Sequence, residues 1–265
     1  YNTYMSGKWH VGEERPHWPV DRGFDRYYGL ISGGMNYFDI DKGKAEGVTR
    51  RFAIDGEPHR PPKEDFYLTD AISDHAVSYR KEASQGDAPF FLYLAYTAPH
   101  WPLHAPEADI QRYVGKYRAG WKAIRAARHQ RMMDMGIVDA DWGLSAPDGE
   151  VANWDSVAKQ AEMDRRMAVY AAQVDVMDRG IGRVLSQLDA MGAMENTLVF
   201  FLSDNGGCHE GGELGFDRRR NGVPIGGVDS YASYGRSWAN ASNTPFRMYK
   251  HWVHEGGISP PAVVA

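Results

Sequence analysis

Three short segments of the sequence carry side chains that could bind an anion or a metal ion. Lys8 and His10 follow an apolar stretch near the start, His100 follows the run FFLYLAY, and Asp204 and Asn205 follow the run VFFL. Short apolar runs bounded by turn residues are typical of strands in a parallel sheet. Because ligands bind outside the carboxyl ends of such strands, we expect these five side chains to lie close together.

The Asp204-Asn205 pair offers oxygen ligands of the kind that Ca²⁺ and Mg²⁺ prefer. The preceding run, residues 199–202, predicts a central strand buried on both faces. An alternative is a hairpin turn at Asn205-Gly206, since this dipeptide favours type I′ turns. The following residues, CHEGGELGFDRRRNG, are polar and glycine-rich and do not alternate, so the pattern favours a strand that ends in a metal ligand pair.

The cationic and imidazole groups of this set lie near the start of the chain and after the run FFLYLAY, and one further lysine lies near the end of the chain. Lys8 and His10 are two residues apart, so their side chains would point the same way in an extended segment. His100 lies in the segment TAPHWPLHAP, whose prolines restrict the backbone on both sides of the imidazole. A loop histidine is more often solvated surface than a functional group. Lys250 precedes a predicted turn at Gly256-Gly257.

The elements that would position these groups can be read from the apolar periodicity. Residues 70–81 and 157–191 match amphipathic helices, and residues 90–96 match a second buried strand. The glycine-punctuated segment 23–40 lacks periodicity and is predicted to be a structured loop. Alternating helices and strands of this kind indicate a layered α/β fold.

Residues 106–156 have a different character, because basic residues recur along a predicted helix. We interpret this stretch as a solvated helix face. The alternative is a lid that carries Trp101, Tyr113 and Trp121 over an anionic substrate.

Composition limits the remaining possibilities. The chain has 265 residues, 43% of them hydrophobic, which is enough for one large α/β domain. Its formal net charge of −5 provides no global positive field for nucleic acid. One cysteine excludes an internal disulfide framework and a cysteine-rich zinc site. No window reaches the apolar length of a membrane span, and both ends look cut, as in a mature or partial chain.

Cations, imidazoles and metal ligands gathered at one sheet edge suit a small tetrahedral oxyanion. A metal ion and ammonium groups neutralise charge that develops on the transferring group, while imidazole moves protons. The chemistry that this constellation predicts is hydrolysis of a sulfate or phosphate ester.

The sequence resembles the sulfatase family of the arylsulfatase type. The motifs that carry the resemblance are GKWHVG, GFDRYYG, TAPHWPLHAP, SDNGG and YKHWVHEGGISPP, which occur in the family's order and span nearly the whole chain. The resemblance implies the alkaline-phosphatase-like fold, a three-layer α/β/α sandwich around a mostly parallel sheet, incomplete at both ends. It also implies a single partial catalytic domain over residues 1–265, with a helical insert at about 106–156.

The resemblance assigns a role to each candidate residue. Asp204 and Asn205 would bind the divalent cation, Ca²⁺ ahead of Mg²⁺. Lys8 would contact the sulfate and the nucleophile, and His10 would help to collapse the covalent intermediate. His100 and Lys250 would hold sulfate oxygens and assist the leaving group. The substrate would be a small-molecule or saccharide sulfate ester, and the family is expected in the periplasm or outside the cell.

The sequence also departs from the family pattern. The formylglycine nucleophile is made from Cys or Ser in a C/S-x-P/A-x-R motif, and neither that motif nor the two upstream metal-binding Asp residues is present. The only cysteine, Cys208, lies in the context GGCHEG, so we interpret it as a loop thiol and not as the precursor. The family's C-terminal subdomain is also missing. We therefore expect this polypeptide alone to be inactive.

Two other functions are compatible with the same residues. A phosphate or phosphonate ester hydrolase of the same superfamily would need much the same cations. A non-catalytic anion-binding or structural homologue that has lost its nucleophile is the alternative from another functional class.

Overall fold

A five-stranded mixed sheet lies at the centre of the molecule. The computed structural model describes residues 1–43, 48–84, 86, 88–218 and 222–265. The strand order is β4-β3-β2-β1-β5, in which β1 pairs parallel with β2 and β5, and β3 pairs antiparallel with β2 and β4. The strands are β1 (Asn2–Gly7), β2 (Arg26–Leu30), β3 (Phe52–Ile54), β4 (Glu57–Pro58) and β5 (Phe90–Ala95).

Helices cover this sheet and continue beyond it. Helix α1 packs on β1, β2 and β5, and the long helix α4 packs on α1, which confirms the α/β class. Both predicted helices are present with slightly different ends. The helices are α1 (Leu68–Ala83), α2 (Glu107–Gln111), α3 (Gly120–Asp134), α4 (Gln160–Ala190), α5 (Gly235–Ser242) and α6 (Glu255–Ile258). Short 3-10 helices occupy Pro19–Arg22, Trp154–Ser156 and Met194–Asn196.

The hydrophobic core has three parts. One lies between the sheet and α1 and includes Tyr4, Leu68 and Ile72. A smaller cluster around Met5 and Tyr27 also includes Trp18, beside the Pro19–Arg22 helix. The third lies where α3, α4 and α5 meet and contains a group of tryptophans. Within it, the indole of Trp238 packs edge-on against Trp121 and Trp154.

Two residues of segment 106–156 do not have the environment that the sequence-based interpretations gave them. Arg125 is buried and donates hydrogen bonds to the backbone oxygens of Ser145 and Asn240, so it does not belong to a solvated face. Trp121 is also buried, in the tryptophan core, so it cannot belong to a mobile lid. Both residues are held by segments that are distant in sequence, which a local charge pattern does not reveal.

The prediction of a loop over residues 23–40 is wrong for Arg26–Leu30, which form strand β2. This strand lies between β1 and β3, and four of its five residues are buried. Side chains on both faces are therefore covered, and the alternation that marks a half-buried strand is missing. A one-turn helix, α6, also replaces the predicted turn at Gly256-Gly257.

The prediction of a central, doubly buried strand at residues 199–202 is also wrong for the described part of the chain. Strand β6 (Phe200–Leu202) pairs antiparallel with β7 (Ala262–Val264) in a separate two-stranded sheet, and 65% of Phe200 is exposed. Strand β5 is likewise half open, since 52% of Phe91 is exposed. Each strand has a partner on one edge only, and both line the same cleft.

The alternative of a hairpin at Asn205-Gly206 is wrong as well, because β6 pairs with a strand near residue 263. Among the described residues, no helix combines the length and the apolar character needed to span a bilayer.

Candidate functional site

One cleft of about 2710 Å³ contains every residue predicted to act in the site. It is lined by β5 and β6 and by residues that follow the ends of β1, β5 and β6. Lys8, His10 and His100 are close enough to Lys250 for its charge to influence each of them, and Asp204 influences Lys8. The predicted residues that line the cleft are Lys8, His10, His100, Asp204, Asn205 and Lys250.

Lys8 is positioned by the end of β1. Its backbone N–H donates to the carbonyl of Ala95 at 2.8 Å, which ties it to the end of β5. The preceding Gly7 has a φ of 129°, and a Cβ there would overlap the Ala95 carbonyl, so only glycine fits this close approach. Burial lowers the pKa of Lys8, while the carboxylate of Asp204 opposes this change. Lys8 is thus a partly desolvated cation.

His10 lies beyond Lys8, on the exposed side of the cleft. It has a φ of 56°, so the segment is not extended and the expectation of an extended Lys8–His10 pair is wrong. Its imidazole lies so close to Gly33 that a Cβ there would overlap the ring. Partial burial and the charge of Lys8 both lower the pKa of His10. Its ring is therefore biased towards the neutral form.

His100 is a half-buried neutral imidazole with a defined tautomer. Burial lowers its pKa to about 4, and the nearby Lys8 and Lys250 act in the same direction. Its Nδ1 lies 2.7 Å from the backbone oxygen of Trp101. Because a carbonyl only accepts hydrogen bonds, Nδ1 carries the proton. Nε2 therefore has a free lone pair.

Glu210 is a member of the site that sequence reasoning missed. One carboxylate oxygen lies 3.3 Å from the Nζ of Lys250, and the other accepts a 2.5 Å hydrogen bond from the indole of Trp101. Burial raises its pKa, but the bonds from Trp101 and Lys250 outweigh this, and the net pKa is lowered. The only available signal was its position six residues after Asp204 (210−204=6), in the same glycine-rich segment.

Cys208 also lines the cleft. Burial raises the pKa of its thiol, so it is protonated at neutral pH. One ligand atom from each of Cys208, His100 and Glu210 lies within 4.8 Å of the others. Cys208 is a free cysteine, since the chain contains no second cysteine with which it could form an internal disulfide.

Asp204 and Asn205 present oxygen atoms that are available to a cation. The Asp204 side chain is exposed, and its carboxylate forms no hydrogen bond or ion pair with any residue in the described ranges. The Asn205 amide nitrogen donates to the backbone oxygen of Gly206 at 2.9 Å, which leaves the amide oxygen available. Two such ligands fit part of the shell of Ca²⁺, which takes about six to eight oxygens.

An aromatic cluster lies beside the anion-binding groups. Trp101 packs edge-on against Phe216 and Tyr231, and the guanidinium of Arg218 lies over all three rings at 4.7 to 5.3 Å from their centroids. Aromatic faces next to a cation suit the ring and the polar groups of an organic ligand.

Comparisons with known proteins point to one family. The family model described as Sulfatase matches residues 1–265. An arylsulfatase of Klebsiella aerogenes is 35% identical to this chain, and an uncharacterized sulfatase of Schizosaccharomyces pombe is 33% identical. Both matches cover 100% of this chain, which spans 59% and 51% of the length of the respective relatives.

Solved structures agree with this similarity. The crystal structure of Ps i-CgsB is 27% identical, with a TM-score of 0.60, over 100% of this chain and 44% of that chain. The structure of Ps i-CgsB in complex with k-i-k-neocarrahexaose is 31% identical, with a TM-score of 0.50, over 78% of this chain and 37% of that chain.

Proposed function

This chain belongs to the sulfatase family, and we propose that it forms the part of a sulfuric ester hydrolase that binds the sulfate group and stabilises its charge. One observation carries the proposal: Lys8, Lys250 and the free Nε2 of His100 converge on the cleft that also holds the oxygen ligands of Asp204 and Asn205. The whole protein's activity is inferred, since the chain spans about half the length of these relatives.

The two ammonium groups are suited to the sulfate oxygens. A sulfate monoester carries negative charge that moves towards the leaving oxygen as the ester bond breaks. Lys8 and Lys250 are both partly buried, so their attraction for this charge is screened less than at an exposed surface. Preorganised positive groups that face developing charge are a major source of rate enhancement in enzymes.

His100 would handle a proton at the leaving oxygen. In the site as it stands, Nδ1 holds the proton and Nε2 accepts. Burial lowers its pKa most, and the charges of Lys8 and Lys250 lower it further, so a bound anion that offsets the lysine charges would shift the pKa upwards. Binding of the substrate would thereby favour proton uptake at Nε2, which would then protonate the leaving oxygen. The role of His10 in collapsing a covalent intermediate is carried over from the family.

Asp204 and Asn205 would hold a calcium ion, since both supply hard oxygen ligands and the Asp204 carboxylate forms no hydrogen bond or ion pair with the described residues. When bound, the cation would supply further positive charge at the sulfate group. The resemblance places the formylglycine nucleophile upstream of Lys8. We therefore propose that residues 1–265 alone, a partial catalytic domain with a helical insert at about 106–156, do not turn over substrate.

The organic part of the substrate would lie against Trp101 and its aromatic neighbours. The relative Ps i-CgsB was solved with k-i-k-neocarrahexaose, which supports a saccharide ester for this site. Export to the periplasm or outside the cell is part of the same proposal.

Binding measurements on the purified chain test this proposal without requiring turnover. Lys8→Ala and Lys250→Ala should each weaken the binding of inorganic sulfate by about tenfold or more, since a hydrogen bond to a charged group contributes about 1.5 to 3 kcal/mol. Lys122→Ala, on the exposed part of α3, is the control and should bind sulfate normally. Equal sulfate affinity in all four proteins would refute the anion site.

The calcium assignment has its own test. We expect the affinity for Ca²⁺, measured by isothermal titration calorimetry, to fall at least tenfold in Asp204→Ala, whereas Asp65→Ala, at an exposed position outside the cleft, should bind as the wild type does. The proposed inactivity of the chain is tested by an activity assay, in which detectable turnover of an aryl sulfate by residues 1–265 would contradict it. A longer protein that hydrolyses phosphate esters in preference to sulfate esters would favour the phosphoryl-transfer alternative.

A further inference from the structure

We propose that His100, Cys208 and Glu210 form a second cation site that binds a thiophilic divalent metal such as Zn²⁺, distinct from the oxygen pair of Asp204 and Asn205. One possible ligand atom from each of the three residues lies within 4.8 Å of the other two. Zinc binds imidazole, thiolate and carboxylate at about 2.0 to 2.3 Å in a tetrahedron, which places neighbouring ligands roughly 3.5 Å apart. Side-chain rotations that move the ligand atoms by about 1 Å would bring them to this spacing around the ion.

His100 is already oriented as a metal ligand. Its Nδ1–H donates to the Trp101 carbonyl at 2.7 Å, which fixes the ring and leaves Nε2 free. Histidine ligands of metals characteristically donate their other ring N–H in this way.

Glu210 is also held in place by a hydrogen bond from a neighbouring residue. The indole of Trp101 donates to one carboxylate oxygen at 2.5 Å, so Trp101 holds both Glu210 and His100. The other oxygen faces the Nζ of Lys250 at 3.3 Å and would exchange this partner for the metal. Hydrogen bonds to the ligands of a metal site orient them in the same manner.

Cys208 determines which metal the site selects. A cysteine binds a metal as the thiolate, so binding would replace the thiol proton of Cys208 with the metal and release the proton to solvent. The resulting thiolate and the Glu210 carboxylate balance the two positive charges of Zn²⁺. Soft thiolate favours zinc over calcium, whereas the oxygen atoms of Asp204 and Asn205 favour calcium.

A metal in this position would change the chemistry of the cleft. It would occupy Nε2 of His100, the atom that we propose protonates the leaving oxygen, and this consequence rests on the proposed function. In a catalytically complete protein we expect zinc to lower kcat, because Nε2 of His100 could no longer protonate the leaving oxygen. The metal site itself does not depend on that activity.

The test exploits Cys208 being the only cysteine of the chain. Cobalt(II) added to the purified chain should produce a thiolate-to-cobalt charge-transfer band in the near ultraviolet at a stoichiometry of one, and this band can arise only from Cys208. Zinc should displace the cobalt and should slow the reaction of the thiol with Ellman's reagent at least tenfold. Absence of the band, or unchanged thiol reactivity with zinc, would overturn the proposal.

Matched variants separate this site from adventitious binding. Glu210→Gln and His100→Gln keep the approximate size of each side chain and should lower the zinc affinity at least tenfold, whereas Cys208→Ser should abolish the cobalt band. His17→Asn, at an exposed histidine outside the cleft, should bind zinc as the wild type does. Circular dichroism checks that each variant is folded. Wild-type zinc affinity in Cys208→Ser would refute the site, even if the sulfate-binding results stand.

Discussion

The ammonium nitrogen of Lys250 lies 3.3 Å from a carboxylate oxygen of Glu210. The lysine that we propose for sulfate binding is therefore paired with an anion inside the protein. Sulfate and Glu210 would compete for the same positive charge, while Trp101 holds the carboxylate in place from its other side. This ion pair keeps Lys250 in the cleft in the absence of a ligand and lowers its attraction for an incoming anion.

Replacing Glu210 should consequently strengthen the binding of inorganic anions. In Glu210→Gln the side chain keeps its shape but loses its charge, and a partly exposed ion pair contributes about 1 kcal/mol. We expect the sulfate affinity, measured by calorimetry, to rise about fivefold. Glu64→Gln, at an exposed position outside the cleft, removes the same charge from the chain and serves as control. If both substitutions changed the sulfate affinity equally, the change would be due to net charge and not to the release of Lys250.

Two glycines of helix α4 should respond oppositely to the same substitution. A Cβ on the buried Gly180 would overlap the hydroxyl group of Ser73 in α1, whereas a Cβ on the exposed Gly182 would meet no atom within 4 Å. Gly180→Ala should lower the free energy of unfolding by about 1 to 3 kcal/mol, because overpacking costs more than the helix gains. Gly182→Ala should raise it by up to about 1 kcal/mol. Urea unfolding distinguishes the two, and stabilisation by both would contradict the close α1–α4 contact.

The tryptophan core should be sensitive to truncation. Trp238 is 0% exposed, and its indole N–H donates to the backbone oxygen of Met163 at 2.9 Å. Trp238→Ala should lower the free energy of unfolding by about 3 to 5 kcal/mol, since it creates a cavity and removes the buried indole hydrogen bond. Trp142 is 53% exposed and provides the matched control, for which we expect a much smaller loss. Similar losses in urea unfolding for both variants would argue against this core.

The stability of the protein should fall as the solution is acidified, through His104. This buried imidazole lies 2.9 Å from the Ser230 carbonyl through Nε2, and burial lowers its pKa to about 4. The unfolded chain takes up the proton near its ordinary pKa of 6.5, so it binds more protons than the folded chain between these values. From about pH 7 to about pH 4 this difference costs about 3 kcal/mol of unfolding free energy.

Urea unfolding of wild type and His104→Gln over this pH range isolates that contribution. The variant keeps a donor for Ser230 but cannot be protonated, so its stability should depend less on pH, whatever its value at neutral pH. His100 has the same sign of effect and is retained in both proteins. Parallel pH profiles for the two proteins would exclude His104 as a source of acid sensitivity.

Local patterns were sufficient for the elements with strong periodicity. The apolar residues of α4 recur at helical spacing, and the run at β5 is short and bounded by proline, so both were predicted close to their observed bounds. The same patterns failed where burial depends on neighbours. Arg26–Leu30 lack alternation because helix α1 packs on one face of the strand and the segment around Trp18 packs on the other. Arg125 is buried because distant backbone carbonyls accept its hydrogen bonds.

The candidate site divides in the same way. The sequence by itself determined which residue types stand at the ends of apolar runs: Lys8, His100, Asp204 and Asn205 were identified because polar groups there are unusual and chemically specific. Only the tertiary structure decided that Glu210 pairs with Lys250, that Cys208 lies within 4.8 Å of His100, and that β6 is open to solvent. Side-chain chemistry is a property of each residue, whereas charge pairing, burial and ligand geometry depend on which distant segments meet.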